Sequence, residues 1–158
     1  LIWANQQRPD KALMVCVHHP PYSADINHGS SLRMIHFFEK VFEETGILPD
    51  IVLSGHVHNY QHFVKKYAGQ KEVPFIVAGA GGYDELHPVA TLEDGRFTSE
   101  NVHLANYCDT RHGFLKVNAQ KQVNGVDLNI EYYTIPSEKF TEDFSPAQLT
   151  DQFSVEVR

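Results

Sequence analysis

The segment "DIVLSGHVHNYQ" spans residues 50–61. Its first five residues, 50–54, form a short apolar run of strand length, the pattern of a strand buried on both faces. The run stops at Gly55, and two histidines, His56 and His58, follow one residue apart. In an extended chain, residues i and i+2 point to the same side. If the strand direction continues, the two imidazoles either converge on one ion or diverge slightly to serve two ions of a close pair. Gly55 lets the backbone turn sharply where the strand ends.

Upstream, "KALMVCVHHPPYS" (11–23) repeats the arrangement. An apolar run at 11–17 reads as a second strand covered on both faces, with Cys16 as a small core residue. His18 and His19 end it, and Pro20 and Pro21 force a loop. Between the two runs, Leu32, Ile35, Phe38, Val41 and Phe42 fall at helical spacing, with Ser30 or Ser31 as N-cap and Gly46 as the stop. Strand, helix, strand is a βαβ unit, whose strands lie parallel and adjacent. Binding sites of open α/β sheets gather at the carboxyl ends of strands. Both histidine clusters sit at such ends, so the unit brings them together. Imidazole suits zinc, iron, manganese, nickel and cobalt. The spacing does not separate a metal site from an acid/base pair of histidines.

Downstream, "VPFIVAG" (73–79) reads as a third buried strand running into the glycine-rich "AGAGGYDELHP" (78–88). No GxGxxG follows, so this loop is not a dinucleotide fingerprint. Residues 84–112 read as polar loops. Residues 112–119 and 126–135 alternate in part, and Asn124-Gly125 between them signals a hairpin. Residues 136–158 read as a polar extension over the surface. The whole of 1–158 reads as one domain of α/β class, a mixed β-sheet layer with a flanking helix.

The bulk properties narrow the function. A chain of 158 residues is long enough for one real core. A net charge of −7 argues against a general binder of nucleic acid or anionic membranes. No apolar run approaches the roughly 20 residues that span a bilayer. Two cysteines without a CxxC make no disulfide framework.

"HHPPYS" (18–23), the helix, and "DIVLSGHVHNYQ" together resemble the C-terminal half of the calcineurin-like metallophosphoesterases, the purple-acid-phosphatase-like branch in particular. "HGFLKV" (112–117) and "IEYY" (130–133) resemble that branch's C-terminal hairpin. The family's motifs run D-x-H, G-D-x-x-D, G-N-H-[DE], a lone histidine usually in H-x-P, and G-H-x-H. This chain matches the last two in order and contains none of the first three. The resemblance covers roughly residues 11–135 and implies the C-terminal part of an α/β/β/α sandwich.

It also implies site roles. His18 and His56 would bind one metal, and His58 the other. His19 would face the pocket without ligating. Asn59 and Tyr60 would lie at the pocket rim, and Gly81 and Gly82 would line the substrate. His28 is the candidate for a catalytic, substrate-facing group. His87 could border the pocket, His36 and His62 read as surface or packing residues, and His103 and His112 as structural. The implied activity is hydrolysis of a small-molecule phosphoric ester at a centre of two metal ions, iron, zinc or manganese. In the family the bridging aspartate comes from the motifs not found here. The chain is therefore expected to be the C-terminal portion of a longer enzyme, partnered by the N-terminal half of the same domain. Alone it would be inactive and prone to self-association through an exposed sheet edge. The alternative is a non-catalytic metal-binding or interaction domain.

Overall fold

The computed structural model describes residues 1–7, 10–82, 85–90, 101–136 and 146–158. A short helix, α1 (Ile2–Gln6), precedes the first strand, β1 (Met14–Val17). Helix α2 (Leu32–Thr45) leads from β1 into β2 (Ile51–Ser54). The two strands pair in parallel, from Met14 opposite Ile51 to Val17 opposite Ser54, which is the expected βαβ unit. Strand β3 (Tyr60–Lys66) follows directly on the histidine segment, and β4 (Glu72–Ala78) lies parallel to β2 on its other side. Strand β3 runs antiparallel to β4, and β5 (Val102–Cys108) antiparallel to β3. The order of this mixed sheet is β1-β2-β4-β3-β5. A second, antiparallel sheet holds β6 (Gly113–Gln122), β7 (Gly125–Thr134) and β8 (Gln148–Val157) in that order.

Helix α2 forms where its apolar spacing requires. Ser31 caps it, its hydroxyl accepting from Met34 N at 3.3 Å, and Gly46 ends it in the left-handed region at φ 65°. Phe38 and Phe42 point inward against Val52, Phe63, Val73 and Phe75 on one face of the mixed sheet. Ser31→Ala should therefore cost about 1 kcal/mol, the typical worth of a side-chain N-cap, measured as a shift in the urea midpoint. The other face of the mixed sheet buries Ile51, Tyr60 and Ile76 against Val126, Leu128, Ile130, Tyr132 and Val157 of the second sheet. The chain is thus an α/β fold in three layers: helix, mixed sheet, antiparallel sheet.

Several expectations change. Strand β1 is not covered on both faces. It is an edge strand, and Met14 and Cys16 are exposed. Their face points the same way as Ile51, but at the edge of the sheet they stay open to solvent. The C-terminal segment is not a surface extension, because residues 148–157 complete the second sheet and bury Val157. The alternation Asp151, Phe153, Val155, Val157 is present in the sequence, but the inward-facing Asp151 disguises it. Within the expected loops of 84–112, residues 102–108 form β5, with Val102 and Leu104 turned inward. Residues 83, 84, 91–100 and 137–145 lie outside the described residues, and with them the rest of those loops and part of the tail. The hairpin holds: Gln122 pairs with Gly125, whose φ of 133° and close approach to the Val157 carbonyl require glycine.

Candidate metal centre

The two histidine clusters meet at the carboxyl ends of β1 and β2. Gly55 N donates to the His18 carbonyl at 3.1 Å, which ties one cluster's backbone to the other. His56 Nδ1 then lies 3.2 Å from His18 Nε2. His19 packs on the same ring, with centroids 4.1 Å apart. One ligand nitrogen from each of His18, His19 and His56 lies within 4.8 Å of the others. Among the described residues no carboxylate joins this group.

The segment after β2 does not continue as a strand. Val57 N donates back to Gly55 O, and Asn59 N to Val57 O, so the chain advances in tight two-residue steps. The left-handed residue is His56, at φ 65°, rather than Gly55. A non-glycine residue held there costs of order 1–3 kcal/mol and marks a position fixed by its surroundings. The strand rule therefore fails here, and the two imidazoles part. His56 turns to His18 and His19. His58 has its Nδ1 3.1 Å from the Glu85 carbonyl and stacks on His87 at 4.6 Å. His18, His56, His58 and Gly79 nevertheless line one small cavity of about 300 Å³.

A larger cavity, about 630 Å³, opens beside the cluster. His19, His28, His56 and Arg33 supply its polar lining, and Met34, Phe37 and Val57 its apolar lining. His28 stands with its ring centroid 4.9 Å from that of His56. Its loop is held from below by Asp25, whose buried Oδ1 accepts from the backbone N–H groups of Asn27 and His28 at 2.8 and 2.6 Å. Burial, followed by the crowding of His19, His28, His18 and His58, holds the His56 pKa below its ordinary value.

Four expected site residues fall elsewhere. Asn59 is fully buried and not at a rim. Its amide donates to Asp25 Oδ2 at 3.2 Å and to the His87 carbonyl at 2.9 Å, and its oxygen accepts from Gln61 Nε2 at 2.7 Å. Tyr60 is also fully buried, stacked on Tyr132 at 3.8 Å between the two sheets. Its hydroxyl donates to Asp151 at 2.6 Å. Both follow closely on His58, but Asn59 closes the turn that leads into β3 and Tyr60 is the strand's first residue, so their side chains enter the interior. Gly81 and Gly82 are exposed and line neither cavity. The glycine that matters is Gly79, where a Cβ would overlap the Val57 carbonyl.

His87 borders the site, its Nδ1 3.2 Å from Asp25 Oδ2. That approach is too poorly angled for a hydrogen bond, and the buried nitrogen has no such partner among the described residues. His62 is a packing residue, buried with Nδ1 2.9 Å from Asp151 and its ring on Phe153 at 3.9 Å. His36 and His103 are exposed, and His112 Nδ1 lies 3.3 Å from the Ala80 carbonyl. Asp25 and Gln61 were missed by motif reading. Gln61 accepts from Ala24 N at 2.6 Å and so anchors the loop that carries His28. The "SADIN" stretch held the one available signal, an aspartate able to cap its own loop.

No family model and no curated protein matches this chain. Among solved structures it is similar to GAP50, the anchor in the inner membrane complex of Plasmodium, with a TM-score of 0.48 and 12% identity. The alignment covers 92% of this chain and 37% of that one, so the chain spans well under half the length of its structural neighbour.

Proposed function

We propose that this chain supplies part of the active site of a metal-dependent phosphoric ester hydrolase of the calcineurin-like, purple-acid-phosphatase-like kind. The observation that carries this reading is the meeting of "HHPP" and "GHVH" at the ends of two parallel strands, with imidazole nitrogens 3.2 Å apart. Iron, zinc or manganese ions bound there would supply the charge that polarises a phosphoryl oxygen. Arg33, on the first turn of α2, lines the adjoining cavity and would hold the anionic ester in a chain whose net charge is otherwise negative. Met34, Phe37 and Val57 would take the ester's organic group. His28 faces the same cavity beside His56 and is positioned to give a proton to the leaving oxygen.

Among the described residues the cluster lacks the carboxylate that holds two cations at short range. In this reading the missing carboxylates come from an N-terminal half of the same domain, paired along the open edge of β1 beside exposed Met14 and Cys16. The isolated chain then has little activity, and the same edge can pair two copies of it. The test is hydrolysis of p-nitrophenyl phosphate and bis-p-nitrophenyl phosphate by the full-length protein, loaded with manganese or with iron and zinc. Activity lost in His56→Ala and retained in His36→Ala supports the reading. A full-length protein that binds metal and hydrolyses neither ester overturns it and favours a non-catalytic metal-binding domain.

A further inference from the structure

Among the described residues no carboxylate stands beside the cluster to hold a second cation, and the imidazoles that meet there suit a one-ion centre. Two nitrogens bound tetrahedrally to zinc at about 2.0–2.1 Å stand about 3.4 Å apart. His56 Nδ1 and His18 Nε2 are already 3.2 Å apart, and one ring nitrogen from each of His18, His19 and His56 lies within 4.8 Å of the others. His18 and His19 are exposed on a short loop, so a small rotation of the His19 ring closes the set. His56 is strapped to this group by its left-handed backbone and by the Gly55–His18 bond. His58 is directed away, toward the Glu85 carbonyl and the His87 ring.

We propose that His18, His19 and His56 form a mononuclear site for one zinc-class divalent cation, with an open fourth position facing the larger cavity. Three imidazoles and an open position are a zinc arrangement suited to an exchangeable ligand. The family resemblance puts His58 in the ligand set and leaves His19 out, so the two assignments part at these two residues. This proposal stands on the geometry of the cluster and does not require that the protein hydrolyse phosphoric esters.

The experiment is zinc titration of this chain by calorimetry at neutral pH, with Cys16→Ser in every sample to remove the exposed thiol. Visible absorption of the cobalt-loaded chain is the second readout, and circular dichroism checks that each variant is folded. One zinc per chain is expected. His19→Ala should weaken binding at least about 100-fold, no less than loss of an outer-shell partner costs, while His58→Ala should change it by less than about threefold. The cobalt spectrum should vanish in His19→Ala and persist in His58→Ala. His19 is exposed, so its variant tests ligation rather than folding. Absence of zinc binding, two ions per chain, or a loss in His58→Ala as large as in His19→Ala would each overturn the proposal. None of these outcomes depends on the phosphatase assay.

Discussion

Tyr60→Ala should lower the unfolding free energy by about 4 kcal/mol, the middle of the range for truncating a large buried aromatic. Against the roughly 5–15 kcal/mol that keeps a domain folded, that is a large share of the margin. The size follows from where the ring sits. Tyr60 is fully buried, stacked nearly face to face on Tyr132, and it joins the mixed sheet to the second sheet. The hydroxyl adds a separate contribution, because it donates to Asp151 of β8 at 2.6 Å beside the His62 ring. Tyr60→Phe keeps the stack and removes that donor. It should cost about 1.5–3 kcal/mol, the worth of a hydrogen bond to a charged group. Urea denaturation of both variants separates the two contributions, and Tyr60→Phe remains measurable if Tyr60→Ala does not fold. An unchanged midpoint in both would return Tyr60 to the rim of a pocket.

The same network sets an acid dependence. Burial alone would raise the Asp151 pKa, but hydrogen bonds from His62, Tyr60 and Asn106 outweigh it and hold the group at about 2. The folded value thus lies below the unfolded one, near 3.8. Stability from this carboxylate is fully present above pH 3.8 and drains away as the pH falls from there toward 2. The gap between the wild-type chain and Tyr60→Phe should narrow across that window, because the carboxylate that the hydroxyl serves is being protonated.

The βαβ unit was legible because each of its signals is local. The spacing of Leu32 to Phe42, the Ser31 cap, the Gly46 stop and the two apolar runs all act within a few residues, and the structure places each near where the sequence does. The meeting of His18 with His56 was legible for the same reason, since parallel neighbours joined by one helix must end side by side. The rest depended on partners far along the chain. Strand β8 carries a polar residue inward because Tyr60 and His62, about ninety residues earlier, wait for it. Strand β3 has no clean alternation because both of its faces are buried, so Gln61 and His62 are core residues with polar partners on either side. The parting of His56 from His58 rests on a left-handed backbone at a histidine, which sequence assigns by default to the neighbouring glycine. Cys16 reads as a core residue from sequence because an edge strand and a central strand look alike when only their own residues are seen.

Gly79 offers the sharpest test of how the site is held. A Cβ there would overlap the Val57 carbonyl and crowd the rest of that peptide, so alanine cannot enter unless backbone moves. The peptide in question lies between His56 and His58, and Gly79 N also donates to the Asn59 carbonyl at 3.1 Å on the same turn. Val57 is wholly buried, so the turn has no room to retreat. Gly79→Ala should therefore destabilise the protein by about 3 kcal/mol or more, the scale of severe overpacking. It should also weaken metal binding, because the displaced peptide carries the backbone of both histidines. Gly81→Ala provides the contrast. A Cβ at Gly81 meets open space, and its backbone is not in the left-handed region, so the change should be neutral or stabilise slightly by reducing the entropy of the unfolded chain. The two glycines sit two residues apart in one "GAGG" run, and a flexible-loop account predicts the same small effect for both. Thermal unfolding and zinc titration of the two variants decide between the accounts: equal, small shifts would mean that the run is a pliable loop, and a loss confined to Gly79→Ala would mean that β4 ends in a backbone buttress that fixes the direction of His56.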